Sequence, residues 1–158
     1  MKSLVVYYSR SGNSKFVAQR IAEKICADTE EVIDKKNRRG LIGFLKAGYD
    51  ATRGKETAIE ETRFLPINYD LIVVGTPIWN GRPTPAVRTY LSKNDLSSKK
   101  LAFFCTLDGN NSEKATANIR NLLPSGNIVG VLAVKKALKN PEEVENKVSD
   151  WCSSITSA

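Results

Sequence analysis

Apolar positions in this chain come in short blocks that alternate between two periods. Leu4, Val5, Val6, Tyr7 and Tyr8 form a continuous run and predict a buried strand over 2–8. Val17, Ala18, Ile21, Ala22 and Ile25 then recur at helical spacing and predict a helix over 14–27. Glu31, Val32 and Ile33 read as a brief second strand near a sheet edge. Tyr69 to Gly75 is again continuous, as in a central parallel strand covered on both faces. Residues 100–105, KLAFFC, and 128–134, IVGVLAV, repeat that pattern. Helical patterns separate these runs. One carries Ala86, Val87, Tyr90 and Leu91, with Thr84 as cap and Pro85 at the first position. The next carries Ala115, Ile119, Leu122 and Leu123, with Ser112 as cap and Glu113 in the first turn. The last starts at Asn140 and Pro141 and runs through Val144, Val148, Trp151 and Ile155.

Strand and helix thus alternate along the chain. The pattern predicts one α/β domain over 1–158, a doubly wound three-layer sandwich on a five-stranded parallel sheet with right-handed crossovers. Ligands of such sheets bind beyond the carboxyl ends of the strands, where strand order reverses. Three loops at that edge are rich in small polar residues: 9–14, 76–82 and 106–111. In the first, a strand, a small polar loop and a helix N-terminus follow in direct succession. That is a phosphate cradle, because first-turn N–H groups have no intrahelical partner and Gly12 lets the backbone turn.

One segment interrupts the regular plan. Residues 35–60 are too many for an ordinary β–α connection. The stretch holds Lys35, Lys36, Arg38, Arg39, Lys46, Arg53 and Lys55, and Asp50 is the one acid between 35 and 55. Leu41, Ile42, Leu45 and Tyr49 have helical spacing, with Phe44 beside them, and predict a short basic helix docked by its apolar side. The formal charge of the whole chain is +7, so the remainder is close to neutral and the basicity is local.

Composition narrows the chemistry. There is no histidine, which removes His-based metal sites and Ser-His-Asp or Cys-His catalysis. Cys26, Cys105 and Cys152 are widely spaced and read as small buried hydrophobes. No window approaches the run of about 18 apolar residues that a membrane span needs. With no leader pattern before the first strand, the expectation is a cytoplasmic protein that uses no membrane. Nucleic acid fits the basic segment poorly, since no nucleic-acid fold accompanies it.

The first loop is neither GxxxxGK[ST] nor GxGxxG. It lacks the cysteine of a low-molecular-weight phosphatase, and the acids of a response regulator are missing from the ends of the first and third strands. Ser9-Arg10-Ser11-Gly12-Asn13-Ser14 resembles the FMN-phosphate loop of flavodoxins, S/T-x-S/T-G-N-S/T. Thr76-Pro77-Ile78-Trp79-Asn80-Gly81 resembles the second flavin loop of that family, and Thr106-Leu107-Asp108-Gly109-Asn110 stands where the third should be. Asp70, just before the third strand, is also usual there. The resemblance covers nearly the whole chain in order and spacing, at the length of a short-chain flavodoxin.

The resemblance implies strand order 2-1-3-4-5 and FMN as cofactor. Ser9, Ser11, Asn13 and Ser14 would bind the phosphate with their side chains, aided by loop N–H groups. Arg10, in the variable slot, faces either solvent or phosphate. Trp79 would stack on the isoalloxazine and lower its potential. A peptide near Asn80-Gly81 would turn its carbonyl toward flavin N5, Ile78-Trp79 and Trp79-Asn80 being the alternatives. Asp108, Gly109 and Asn110 would line the pyrimidine edge. The implied activity is low-potential electron transfer through a neutral semiquinone. The alternative is an FMN-dependent NAD(P)H or quinone reductase of the same fold.

Two departures bear on that choice. The tyrosine usual in the third loop is absent, leaving Leu107 as the large side chain there. And the chain is basic where flavodoxins are strongly acidic. A basic 35–55 segment beside the flavin would steer in an acidic ferredoxin-like partner or an anionic dinucleotide.

Overall fold

Leu4, Val5 and Val6 have no exposed surface because β1 (Ser3–Tyr7) runs through the interior of a parallel sheet. The computed structural model describes residues 1–35, 56–123 and 126–157. Its other parallel strands are β2 (Asp28–Glu31), β3 (Leu71–Trp79), β5 (Lys100–Leu107) and β6 (Asn127–Lys135). A two-residue β4 (Arg82–Pro83) folds back antiparallel on the end of β3. The parallel strands lie in the order β2-β1-β3-β5-β6, which is the expected order with the short β4 added at one strand end.

Alternate residues of each strand face opposite layers. Val5, Tyr7, Leu71, Val73, Ala102 and Phe104 point to α1 (Asn13–Ile25) and α4 (Pro141–Ser157), and Trp151 packs on that cluster. Leu4, Val6, Ile72, Val74, Leu101 and Phe103 point to α2 (Pro85–Lys93) and α3 (Ser112–Arg120), and Trp79 belongs to that cluster. Across the middle of the first face, Tyr7, Gly75, Phe104 and Leu132 stand in register on four neighbouring strands. The Phe104 ring occupies the space over Gly75, where any Cβ would fall inside it.

The second strand lies earlier than 31–33. α1 stops at Cys26, whose φ of 51° is left-handed, and β2 pairs Asp28 to Glu31 with Leu4 to Tyr7. Burying Glu30 in a strand is permitted because its carboxylate accepts the backbone N–H groups of Arg63 and Phe64, at 2.8 and 3.1 Å. Val32 makes one last bond to the Tyr7 carbonyl, at 2.8 Å, and Ile33 is exposed. The third strand begins at Leu71 rather than Tyr69 and continues to Trp79. Asn111, not Ser112, caps α3, its side chain accepting the Lys114 N–H at 3.3 Å. Thr84 is the N-cap of α2 as expected, but its hydroxyl lies 3.2 Å from Thr76 Oγ1 and makes no cap bond.

The helix expected over 41–49 lies outside the described residues, as do Lys36, Arg38, Arg39, Lys46, Arg53 and Lys55. The residues on either side are joined: Lys35 N–H donates to Ala58 and Glu60 N–H to Ile33, both at 2.9 Å. Among the described residues no helix is long and apolar enough to cross a membrane.

Candidate functional site

Strands β1, β3 and β5 end side by side, and the loops that leave them enclose a cavity of about 630 Å³. Arg10, Ser11 and Asn13 line it from the first loop. Pro77, Ile78, Trp79, Asn80 and Gly81 line it from the second. Thr106, Leu107, Asp108, Gly109, Asn110 and Asn111 complete it from the third. The three expected loops thus meet, and Asn111 joins them. Ser9, Gly12, Ser14 and Thr76 are not on the lining and hold the loops from behind.

Those four have distinct tasks. Ser9 Oγ accepts the Lys15 N–H at 3.2 Å and closes the first loop on itself. Gly12, at φ 90°, takes the left-handed turn that starts α1, and its carbonyl accepts the Phe16 N–H at 2.9 Å. Having no side chain, it leaves the first-turn N–H groups uncapped from its own position. Ser14 is buried, with its hydroxyl 2.7 Å from Thr106 Oγ1, so one hydrogen bond ties the first loop to the third. Thr76 Oγ1 accepts the Thr84 N–H at 3.1 Å and thereby anchors the second loop.

Asn13 bridges. Its Nδ2 donates to Ser11 Oγ at 3.2 Å, and its Oδ1 accepts the Leu138 N–H at 3.1 Å. Leu138 belongs to the turn between β6 and α4, which the sequence pattern did not single out. That turn is held again by the Lys136 N–H on the Leu107 carbonyl, at 3.0 Å.

The second loop is a hairpin. Ile78 pairs with Pro83 and Trp79 with Arg82, leaving Asn80 and Gly81 as a two-residue turn with φ of 50° and 76°. Two successive positive φ values define the turn that Asn-Gly forms most readily. Asn118 Nδ2, from α3, donates to the Gly81 carbonyl at 2.6 Å. The Lys114 side chain, one helical turn earlier, also lies against Gly81. Both contacts were invisible in the sequence pattern, since α3 lies more than thirty residues away in the chain.

Trp79 is 8% exposed. Tyr8 meets it edge to face, with centroids 5.6 Å apart, and the Arg10 guanidinium carbon lies 5.8 Å from the ring centroid. Arg10 thus leans over the tryptophan as well as lining the cavity. Cys105, next to Thr106, offers no thiolate, because burial pushes its thiol up to about 12. The arrangement provides neutral hydrogen-bonding groups at one end, an aromatic wall, a glycine turn and a polar loop opposite. The cavity volume suits a cofactor-sized ligand.

A family model described as Flavodoxin matches residues 2–155. No curated protein matches the chain. Among solved structures, a flavoprotein in complex with FMN from Lactobacillus acidophilus NCFM is similar over 95% of this chain and 97% of its own, at 24% identity and a TM-score of 0.75. Oxidised Flavodoxin 2 from Bacillus cereus is similar over 99% of both chains, at 20% identity and a TM-score of 0.64. A WrbA-like flavodoxin from Agrobacterium tumefaciens is similar over 98% of this chain and 95% of its own, at 17% identity and a TM-score of 0.61. At these identities the structural likeness speaks for the fold.

Proposed function

This chain belongs to the flavodoxin family, and on that premise we propose that it is an FMN-binding, low-potential electron carrier of the cytoplasm. The observation that carries the proposal is a single cavity lined at once by Ser11 and Asn13, by Trp79 with the Asn80–Gly81 turn, and by the 107–111 loop. The residues fit the cofactor. Ser11, Asn13 and the N-terminus of α1 supply neutral donors for a phosphate, and the left-handed Gly12 gives the cradle its bend. Trp79, braced by Tyr8, supplies a flat apolar wall for the ring. The turn supplies carbonyls, and Asp108 to Asn110 supply polar groups for the ring's polar edge. When bound, FMN supplies one-electron chemistry; the chain binds it, orients it and limits its access to water.

Ser14 also serves the loop itself. Its hydroxyl bonds Thr106 at 2.7 Å and so fixes the loop, while its backbone N–H and, where Thr106 donates, its O–H face a phosphate.

A second reading, an FMN-dependent NAD(P)H or quinone reductase, draws support from one feature. The cavity wall supplied by residues 106–111 contains no aromatic, and Leu107 is buried, which leaves room for a flat substrate over the ring. Anaerobic photoreduction of the FMN-loaded chain separates the two. A long-lived, one-electron-reduced blue form supports the carrier. Direct passage to the fully reduced flavin, with rapid reoxidation by a quinone, supports the reductase. Failure to take up FMN would sink both.

A further inference from the structure

We propose that the turn between β6 and α4, together with the loop before α1, forms a leucine-centred basic surface that docks an acidic redox protein beside the cavity. The inference rests on the carrier reading and adds the partner's chemistry and where it binds.

The surface is built from two segments that touch. Asn13 accepts the Leu138 N–H at 3.1 Å, and the Leu138 side chain packs 3.5 Å from the Cβ position of Gly12. Leu138 is nevertheless 51% exposed, one of few large apolar side chains so exposed among the described residues. Residues 10–15 and 135–140 contain Arg10, Lys15, Lys135, Lys136 and Lys139, all exposed, and no acid. Acids stand at its edges: Glu31 pairs with Lys15 at 3.6 Å, Glu143 pairs with Lys147 at 2.6 Å, Glu142 stands in the first turn of the next helix, and Asp108 follows Leu107, whose carbonyl accepts the Lys136 N–H; between them Arg10, Lys135, Lys136 and Lys139 keep the surface basic. Continuity with the cavity is direct, because Arg10 lines it and Lys135 Nζ reaches Asn110 Oδ1 at 3.5 Å.

An exposed leucine inside a ring of cations has the anatomy of a protein docking site, an apolar centre with a charged rim. A small anion would use the cations and gain little from the leucine at its centre. The charges steer an acidic partner and orient it, while the leucine holds it once docked.

The test uses an acidic plant-type ferredoxin as electron donor to the FMN-loaded chain. One electron passes from the reduced iron–sulfur cluster to the oxidised flavin. Association is followed by stopped flow across a range of ionic strength. The pair Lys135→Glu and Lys139→Glu should slow association roughly tenfold to a hundredfold at low salt and flatten the salt dependence. Leu138→Ser should speed dissociation severalfold and leave the salt dependence unchanged. The control pair, Lys93→Glu and Arg120→Glu, changes the net charge equally at helix C-termini, at the far end of the sheet, and should leave the rate within about twofold.

Ferredoxin binding to the unloaded chain is measured as well, so that a failure to bind FMN is distinguishable from a failure to dock. The proposal is overturned if the control pair slows association as much as the test pair. It is also overturned if Lys135→Glu with Lys139→Glu abolishes binding to phosphatidylserine vesicles while ferredoxin association is unchanged.

Discussion

Asn118 shows how a side chain outside the cavity can shape it. Its amide donates to the Gly81 carbonyl at 2.6 Å, which fixes the peptide after Gly81. Truncation in Asn118→Ala removes one hydrogen bond, worth about 1 kcal/mol net. We expect faster amide exchange at Arg82 in the unloaded chain and about fivefold weaker FMN binding, with the global unfolding midpoint little changed. Amide exchange followed by NMR and an FMN titration check this. Asn80 and Gly81 were legible in the sequence, because their tolerance of positive φ is intrinsic to the two residues. Asn118 was not, since nothing local marks an asparagine on a helix as the partner of a distant carbonyl. The pairing of Ser14 with Thr106 was not legible either, since Thr106 comes from another strand.

At the scale of elements, the sheet is held in register by complementary sizes. Gly75 faces the ring of Phe104 on the neighbouring strand. Gly75→Ala would force that ring out of its place and should destabilise the chain by about 1–3 kcal/mol, read as a lower denaturation midpoint. Phe104→Leu in the Gly75→Ala background should recover part of the loss, which a general weakening of the strand would not allow. Apolar runs located β1, β3 and β5 because buried parallel strands need them, and β6 because its side chains pack, partly buried, against both layers. β2 escaped that logic. Its sequence, DTEE, is polar, and its buried Glu30 depends on backbone donors from residues 63 and 64. The end of β3 escaped too, because Ile78 and Trp79 are strand residues only through their pairing with β4.

Over the whole molecule, burial has placed several weak acids where their neutral forms are favoured. Tyr7 is raised to about 12 by burial and then by Glu31, to which it donates a hydrogen bond at 3.3 Å. Tyr69 is raised to about 12 by burial and then by Asp28, its partner at 2.7 Å. A folded-state value above the unfolded one gives stability that is complete below the unfolded pKa, near 10, and lost as pH climbs through the folded value. The thermal midpoint should therefore fall between about pH 10 and 12. Tyr69→Phe should make that alkaline decline shallower, as a series of melting curves at rising pH would show.

The sheet also divides the interior so that each apolar layer holds one of the chain's two tryptophans, Trp79 beside the cavity and Trp151 against the opposite cluster. The molecule therefore carries a separate optical reporter on each side. A Trp151→Phe chain would emit from the cavity layer alone, and a Trp79→Phe chain from the far layer alone. Emission from the two in rising denaturant would reveal whether the layers come apart together or one before the other.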